Sequence, residues 1–151
     1  MRVLNFGSMN LDHVYAVPRF VRPGETLAAE SRSVMPGGKG LNQSVALARA
    51  GCAVFHAGCV GEGGGELKKL LEDSGADTSL LRQVSRPQGH TVIQVTPEGE
   101  NCILLFGGSN LCVTREQVSD TLALFGPGDW LLLQNEIGLL PSSWRKDTIA
   151  G

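Results

Sequence analysis

Residues 36–60 read PGGKGLNQSVALARAGCAVFHAGCV. The glycine-rich start is predicted to be a loop, because glycine permits tight turns. It opens an alanine-rich segment, residues 41–50, whose apolar residues recur at helical spacing, and Gly51 stands where helices commonly end. Residues 53–60 are almost continuously apolar, as in a strand buried on both faces. With a strand predicted at residues 2–7, this order of strand, helix and strand indicates an α/β fold.

The segments on either side carry further strand and helix signals. Residues 10–17 alternate between two faces, as a strand does, and residues 25–34 are predicted to be extended. Two apolar segments, residues 90–96 and 101–106, flank a short turn and predict a β-hairpin. The remaining predicted elements are a short helix closed by Gly75, a helix from Thr114 to about Phe125 that starts with a capping box, and a buried strand at residues 130–134.

The composition places the chain in a broad class. Its 151 residues fit one ordinary domain, and 42% hydrophobic with 19% charged residues is typical of a globular protein. A net charge of −2 and only 5% aromatic residues argue against a nucleic-acid partner. No apolar run reaches the ~20 residues of a membrane span, and the polar start does not resemble a signal peptide, so no membrane association and a cytoplasmic location are expected. The four cysteines lack zinc-binding spacing and are expected to be reduced thiols, and no metal site is predicted.

Asn10 and Asp12 are the first candidate binding residues. Residues two apart on a strand point to the same face, so both side chains can converge on one ligand. A carboxylate accepts hydrogen bonds, and an amide both donates and accepts them, which suits the neighbouring hydroxyl groups of a polyol. The alternative is that both side chains only satisfy the backbone of a local turn.

Gly38, Lys39 and Asn42 form the second candidate group. Glycines at the start of a helix leave backbone N–H groups free to meet an oxygen-rich ligand. The helix dipole disfavours a lysine at this end by ~0.3–1 kcal/mol unless a negative or polar group engages it. Asn42 lies one turn further along and can face the same opening. The alternative is a solvated lysine beside an ordinary glycine turn, and the spacing is not that of a Walker A loop.

Glu136 is the third candidate, because it directly follows the predicted strand at residues 130–134. Ligand sites of open α/β sheets lie beyond the carboxyl ends of the strands, although many surface carboxylates share that position. The glycine-rich residues 61–65 are a weaker candidate for a phosphate loop. Glu66 stands where a dinucleotide-binding fingerprint needs its last glycine, so a structural turn is the preferred interpretation.

Two sequence patterns stand out when these elements are taken in order. Residues 7–12 have the pattern G-S-x-N-x-D, and residues 37–43 have the pattern G-G-K-G-x-N-Q. The order continues with Pro23-Gly24-Glu25-Thr26 between them, and with Gly107-Gly108-Ser109-Asn110 and Leu132-Leu133-Gln134-Asn135-Glu136 after them. Together they resemble the amino-terminal half of the ribokinase family of sugar kinases, from about Arg2 to Ile137.

The resemblance implies a Rossmann-like α/β sandwich of the ribokinase type with a small β-sheet lid over the sugar. Residues 1–151 would be the amino-terminal sugar-binding part, with lid strands roughly at 11–34 and 90–106 and a homodimer formed through the lid. Family members transfer the γ-phosphoryl group of ATP to a sugar hydroxyl, with Mg²⁺ and a monovalent cation. The residues implied to hold the hydroxyl groups of the sugar, with ribose favoured, are Asn10, Asp12, Gly38, Lys39, Asn42 and Glu136.

The chain also departs from the family pattern. The turn after Val60 has Gly63 and Gly64 where relatives commonly have an aspartate. The second family signature, D-T-x-G-A-G-D, supplies the catalytic base and an anion hole, and it does not occur in the chain. The sequence therefore predicts the sugar-binding half of an ATP-dependent ribose kinase, truncated after that half, with no catalytic residue of its own. The open alternatives are a non-catalytic sugar-binding or dimerising form, and a kinase for another sugar or a nucleoside.

Overall fold

The computed structural model describes residues 1–138, so the last part of the predicted 1–151 unit lies outside the described residues. Within 1–138 the elements follow one another along the chain in this order: β1 (Arg2–Phe6), β2 (Asn10–Ala16), β3 (Ser31–Gly37), α1 (Lys39–Arg49), β4 (Ala53–Glu62), α2 (Gly65–Asp73), β5 (Leu81–Pro87), β6 (His90–Val95), β7 (Asn101–Phe106), a 3₁₀ helix (Gly108–Cys112), α3 (Arg115–Leu122) and β8 (Trp130–Leu133).

The main sheet has the strand order β5-β4-β1-β8, and all its strand pairs are parallel. Side chains alternate across β1, so Val3 packs into one apolar cluster and Leu4 and Phe6 pack into another. The first cluster includes residues of α1 and α2, and the second includes residues of α3. Helices therefore cover both faces of a parallel sheet, and the predicted α/β sandwich is confirmed.

A second sheet has the strand order β3-β2-β6-β7. The strands β6 and β7 pair in antiparallel fashion, which confirms the predicted hairpin. The central pair, β2 and β6, is parallel, and β2 pairs with β3 in antiparallel fashion. Only residues 7–9 separate β1 from β2, so the two sheets meet where β1 ends.

The bounds predicted for residues 25–40 are wrong. β3 begins at Ser31 and continues to Gly37, because Pro36 and Gly37 still lie opposite β2 in the antiparallel pair. Only Gly38 separates β3 from α1, so the expected loop is a single residue with a φ of 94°. A side chain is rarely tolerated at such a φ, so glycine permits the abrupt change from strand to helix.

The carboxyl-terminal elements also differ from expectation. β8 was expected to be buried, but Trp130 is 64% exposed, because within residues 1–138 β8 pairs only with β1 and forms the edge of the sheet. Thr114 caps α3 as predicted by accepting a hydrogen bond from the backbone N–H of Gln117 at 3.1 Å, but the helix ends at Leu122. The side chain of Gln117 does not complete the capping box, because it donates instead to the carbonyl oxygen of Gly58 at 2.7 Å.

The edge strand β5 has no signal in the sequence. It carries mostly polar residues and ends in Pro87, although it pairs with β4 in the main sheet.

None of the helices within residues 1–138 is long and apolar enough to cross a membrane.

Candidate functional site

The candidate site lies at the junction of the two sheets. β1 and β8 both end there, β2 begins there, and α1 starts from the same place after Gly38. The backbone N–H of Leu41 donates to the carbonyl oxygen of Ser8 at 2.9 Å, which ties the start of α1 to the end of β1. This arrangement brings residues that are distant in sequence to one edge of the parallel sheet, where ligands of open α/β sheets bind.

Glu136 is held by Ser8 and Lys39. The Ser8 hydroxyl donates to Oε2 of Glu136 at 2.7 Å, and the backbone N–H of Lys39 donates to the same oxygen at 3.1 Å. The ammonium group of Lys39 forms an ion pair with Oε1, and the Glu136 side chain is only 16% exposed. Burial by itself raises the pKa of Glu136, but the hydrogen bonds from Lys39 and Ser8 outweigh it and hold the pKa below its usual value.

The first N–H groups of α1 are occupied, contrary to the expectation that they stand free. The N–H of Lys39 binds Glu136, and the N–H of Gly40 points to the Ser8 hydroxyl at 3.4 Å. The expected penalty for a lysine at this end of the helix is offset, because a carboxylate engages its ammonium group. The Lys39 side chain is nevertheless 67% exposed, so the lysine is solvated, as the alternative interpretation has it, but it also has a carboxylate partner.

Asn10 and Asp12 lie in β2, so the alternative of a local turn is also wrong. Oδ1 of Asn10 accepts a hydrogen bond from Nδ2 of Asn110 at 2.8 Å. Oδ1 of Asp12 accepts one from the Thr91 hydroxyl at 2.7 Å. Both side chains are therefore oriented by residues of other elements, and each keeps one polar atom for a further partner.

The structure brings most of the candidate residues together. A Cβ on Gly38 would lie 3.0 Å from the backbone N of Asn10, so the Lys39 and Glu136 pair and the Asn10 and Asp12 pair are neighbours. Asn42 lies one turn into α1, with an exposed side chain and its backbone N–H bonded to the carbonyl oxygen of Gly38 at 3.0 Å. Within residues 1–138 its side chain makes no hydrogen bond to the other candidates.

Sequence reasoning missed the residues that hold the candidates in place. Ser8 and Asn110 both lie within quoted motifs, so their positions were visible although their partners were not. Thr91 had no signal of its own, because only the pairing of β2 with β6 brings it opposite Asp12.

The site offers a mixture of hydrogen-bond donors and acceptors. Residues 1–138 contain no group of three or more His, Cys, Asp or Glu side chains that could hold a metal ion. A carboxylate beside an ammonium group, next to an amide and a second carboxylate, provides the mixture that hydroxyl groups need.

Comparison with known proteins identifies the family of the chain. A family model for pfkB family carbohydrate kinases matches residues 2–150. The chain belongs to the pfkB family of carbohydrate kinases. A ribokinase of Haemophilus influenzae is 39% identical to this pfkB-family chain over 136 residues, which cover 88% of the chain and 44% of that protein.

Solved structures agree with the observed fold. The crystal structure of ribokinase from Cryptococcus neoformans var. grubii serotype A in complex with ADP has a TM-score of 0.78 and 37% identity, covering 90% of this chain and 41% of its own. Arabidopsis thaliana ribokinase complexed with ribose and ATP has a TM-score of 0.74 and 27% identity, covering 95% and 47%. This pfkB-family chain thus has a partial ribokinase-like fold and spans less than half the length of these relatives.

Proposed function

We propose that this chain is the sugar-binding half of a kinase that phosphorylates ribose to ribose 5-phosphate with ATP. The observation that carries the proposal is the convergence of two oriented pairs, Asn10 with Asp12 and Lys39 with Glu136, at one edge of the parallel sheet. Relatives that are named ribokinases support ribose as the sugar.

The proposed binding mode depends on which polar atoms of the site already have a hydrogen-bond partner. Asp12 keeps one carboxylate oxygen for a sugar hydroxyl, because Thr91 takes the other. In this proposal Lys39 and Glu136 exchange part of their mutual contact for hydroxyl groups, and Gly38 and Asn42 line the same opening. Each hydroxyl both donates and accepts, so such mixed pairs suit adjacent hydroxyls on a ring.

The phosphoryl donor and the cations belong to the proposal for the complete protein. ATP is proposed as the donor, with Mg²⁺ and a monovalent cation as in the family that the chain resembles. Residues 1–138 hold no metal-ligand cluster, so neither cation is assigned to a residue of this part of the chain. No catalytic base is assigned there either.

The second sheet is proposed to act as a lid over the sugar and as the contact surface of a homodimer. Its strand β7 exposes apolar side chains on both faces of this sheet, with Ile103 at 55%, Leu104 at 71% and Leu105 at 51%. Large exposed apolar patches commonly mark interaction surfaces.

We also propose a cytoplasmic location for the complete protein.

Calorimetric titration of the 151-residue chain with ribose tests the proposal. Asp12→Ala should weaken ribose binding by roughly 10- to 100-fold, since a hydrogen bond to a charged group contributes ~1.5–3 kcal/mol. The matched control is Asp120→Ala, which removes an exposed carboxylate paired with Arg82 and should leave the affinity unchanged. Equal ribose affinity for Asp12→Ala and the wild type, with both folded, would contradict the proposed site.

The same preparations separate the alternatives. A panel of pentoses, hexoses and nucleosides identifies the preferred ligand, and tighter binding of a nucleoside than of ribose would overturn the substrate assignment. Addition of ATP and Mg²⁺ tests catalysis, and we expect the 151-residue chain by itself to transfer no phosphate above background. Phosphate transfer abolished by Asp12→Asn would instead make Asp12 the base.

A further inference from the structure

The side chain of Asn110 makes three hydrogen bonds at the junction of the two sheets. Its Oδ1 accepts from the backbone N–H of Met9 at 3.0 Å. Its Nδ2 donates to the carbonyl oxygen of Met9 at 3.1 Å and to Oδ1 of Asn10 at 2.8 Å. Asn110 is only 2% exposed, and it lies in the 3₁₀ helix, about 100 residues from the strand that it holds.

The backbone of Met9 determines which way both amides point. A backbone N–H only donates and a carbonyl oxygen only accepts, so the two groups of Met9 allow Asn110 a single orientation. The Nδ2 of Asn110 then faces Asn10 as a donor, and only the Oδ1 of Asn10 can accept from it. Within residues 1–138 no partner takes the Nδ2 of Asn10, which therefore remains the free donor of that side chain.

Close packing around Gly89 keeps this arrangement in place. A Cβ on Gly89 would lie 2.3 Å from Nδ2 of Asn110 and 2.6 Å from Oδ1 of Asn10. On the other side, the carbonyl oxygen of Asn110 accepts a hydrogen bond from the N–H of Gly138 at 3.1 Å. Asn110 thus connects β2 to the turn that carries Glu136.

We propose that Asn110 is a positioning residue that fixes Asn10 as a hydrogen-bond donor toward the sugar. A carboxylate only accepts hydrogen bonds, and the Thr91 hydroxyl occupies one oxygen of Asp12, so the other oxygen remains an acceptor. Asn10 and Asp12 consequently present one hydrogen-bond donor and one acceptor, and neither side chain can exchange its role with the other. This inference rests on the proposed sugar site and adds to it that the amide of Asn10 does not rotate to suit the ligand.

A double-mutant cycle on ribose affinity tests whether Asn110 acts through Asn10. Asn110→Ala should weaken ribose binding about tenfold, since the freed amide can rotate and one oriented hydrogen bond is lost. The double variant Asn10→Ala/Asn110→Ala should bind ribose as weakly as Asn10→Ala alone. Multiplicative losses, or unchanged affinity in Asn110→Ala, would overturn the inference.

Gln117→Ala is the matched control for a purely structural effect. Gln117 is also a buried amide, 1% exposed, and it donates to the carbonyl oxygen of Gly58 away from the candidate residues. Its removal should lower the midpoint of thermal unfolding without changing ribose affinity. If Gln117→Ala weakens ribose binding as much as Asn110→Ala, the effect of Asn110 is general destabilisation and the inference fails.

A second variant and an NMR measurement test the role of Asn110 if Asn110→Ala does not fold or if ribose does not bind. If Asn110→Ala does not fold, Asn110→Asp replaces it, because a carboxylate still accepts from Met9 but cannot donate to Asn10, and the loss of affinity should persist. Side-chain amide exchange by NMR needs no ligand: the protons on Nδ2 of Asn110 should exchange with water more slowly than those of Asn10. The reverse order would overturn the inference, whereas absence of ribose binding by the wild type would overturn only the proposed function.

Discussion

At the residue scale, Lys39 and Glu136 hold each other in place within the proposed sugar site. The carboxylate of Glu136 receives hydrogen bonds from a hydroxyl, a backbone N–H and an ammonium group. These donors stabilise the ionised carboxylate more than burial destabilises it, which is why its pKa is low. In the proposed binding mode, a sugar replaces part of this contact with hydrogen bonds of its own.

Ribose should therefore protect Lys39 from reagents that modify amines. The Lys39 side chain is 67% exposed, so it is open to the reagent until a ligand covers it. Lys68 is the internal control, because it is 47% exposed and pairs with Glu72 on α2. Mass spectrometry with and without saturating ribose measures both sites. Equal labelling of Lys39 under the two conditions would remove it from the proposed site.

At the scale of helices and strands, buried polar contacts join α1 to the main sheet. Nδ2 of Asn5 donates to the carbonyl oxygen of Gly40 and to Oγ of Ser44, both at 2.8 Å. Oγ of Ser44 lies 2.8 Å from Nδ1 of His56, which stands opposite Asn5 in the pairing of β1 with β4. These contacts set the position of α1, and hence of Lys39, relative to the sheet.

His56 should make the stability of this junction depend on pH. Burial lowers the pKa of His56 from 6.5 to about 4. Between these values the unfolded chain binds the proton and the folded chain does not, so the free energy of unfolding falls as the pH drops. Between pH 6.5 and pH 4, His56 should lower the free energy of unfolding by about 3 kcal/mol. Urea unfolding from pH 7 to 4 should show a steeper fall for the wild type than for His56→Gln, and equal slopes would contradict this role.

Gly40 should be intolerant of any side chain, because the start of α1 lies against the end of β1. A Cβ there would lie 2.5 Å from the backbone N of Ser8 and 2.6 Å from Cα of Gly7. Gly40→Ala should therefore destabilise the fold by about 1–3 kcal/mol. Gly65→Ala is the control, since a Cβ at that exposed first residue of α2 meets nothing within 4 Å. Chemical unfolding compares the two, and equal stabilities would contradict the close approach of α1 to β1.

At the scale of the whole molecule, two apolar surfaces are exposed among residues 1–138. Within residues 1–138 the outer edge of β8 has no strand beside it, with Trp130 64% and Leu131 36% exposed. The strand β7 forms the edge of the second sheet and is exposed along its whole length. Open strand edges pair readily with other chains, so we expect both surfaces to favour association.

Charged substitutions should distinguish association through the β8 edge from association through the second sheet. Leu131→Lys should reduce open-ended self-association through β8, because a lysine on an edge strand opposes pairing. Leu104→Lys should instead disrupt the dimer proposed through the second sheet. Sedimentation velocity over a range of protein concentrations measures both. A wild-type chain that remains monomeric at all concentrations would show that neither surface drives assembly.

The sequence predicted the elements whose signals are local. The spacing of apolar residues and Gly51 indicated α1, and the alternation in residues 10–17 indicated β2. Thr114 was correctly predicted as a cap, since the hydrogen bond that it accepts spans only three residues. The motifs around Asn10, Lys39 and Glu136 indicated the family, which the match over residues 2–150 confirms.

Only the tertiary structure decided how these parts meet. The exposure of Trp130 depends on which strands lie beside β8, and β5 becomes a strand because β4 pairs with it. The partners of the candidate residues, Ser8 for Glu136 and Asn110 for Asn10, come from about 100 residues away or more. Periodicity and capping act over a few residues and can be read along the chain, whereas the direction of a buried amide depends on groups that only the folded chain brings together.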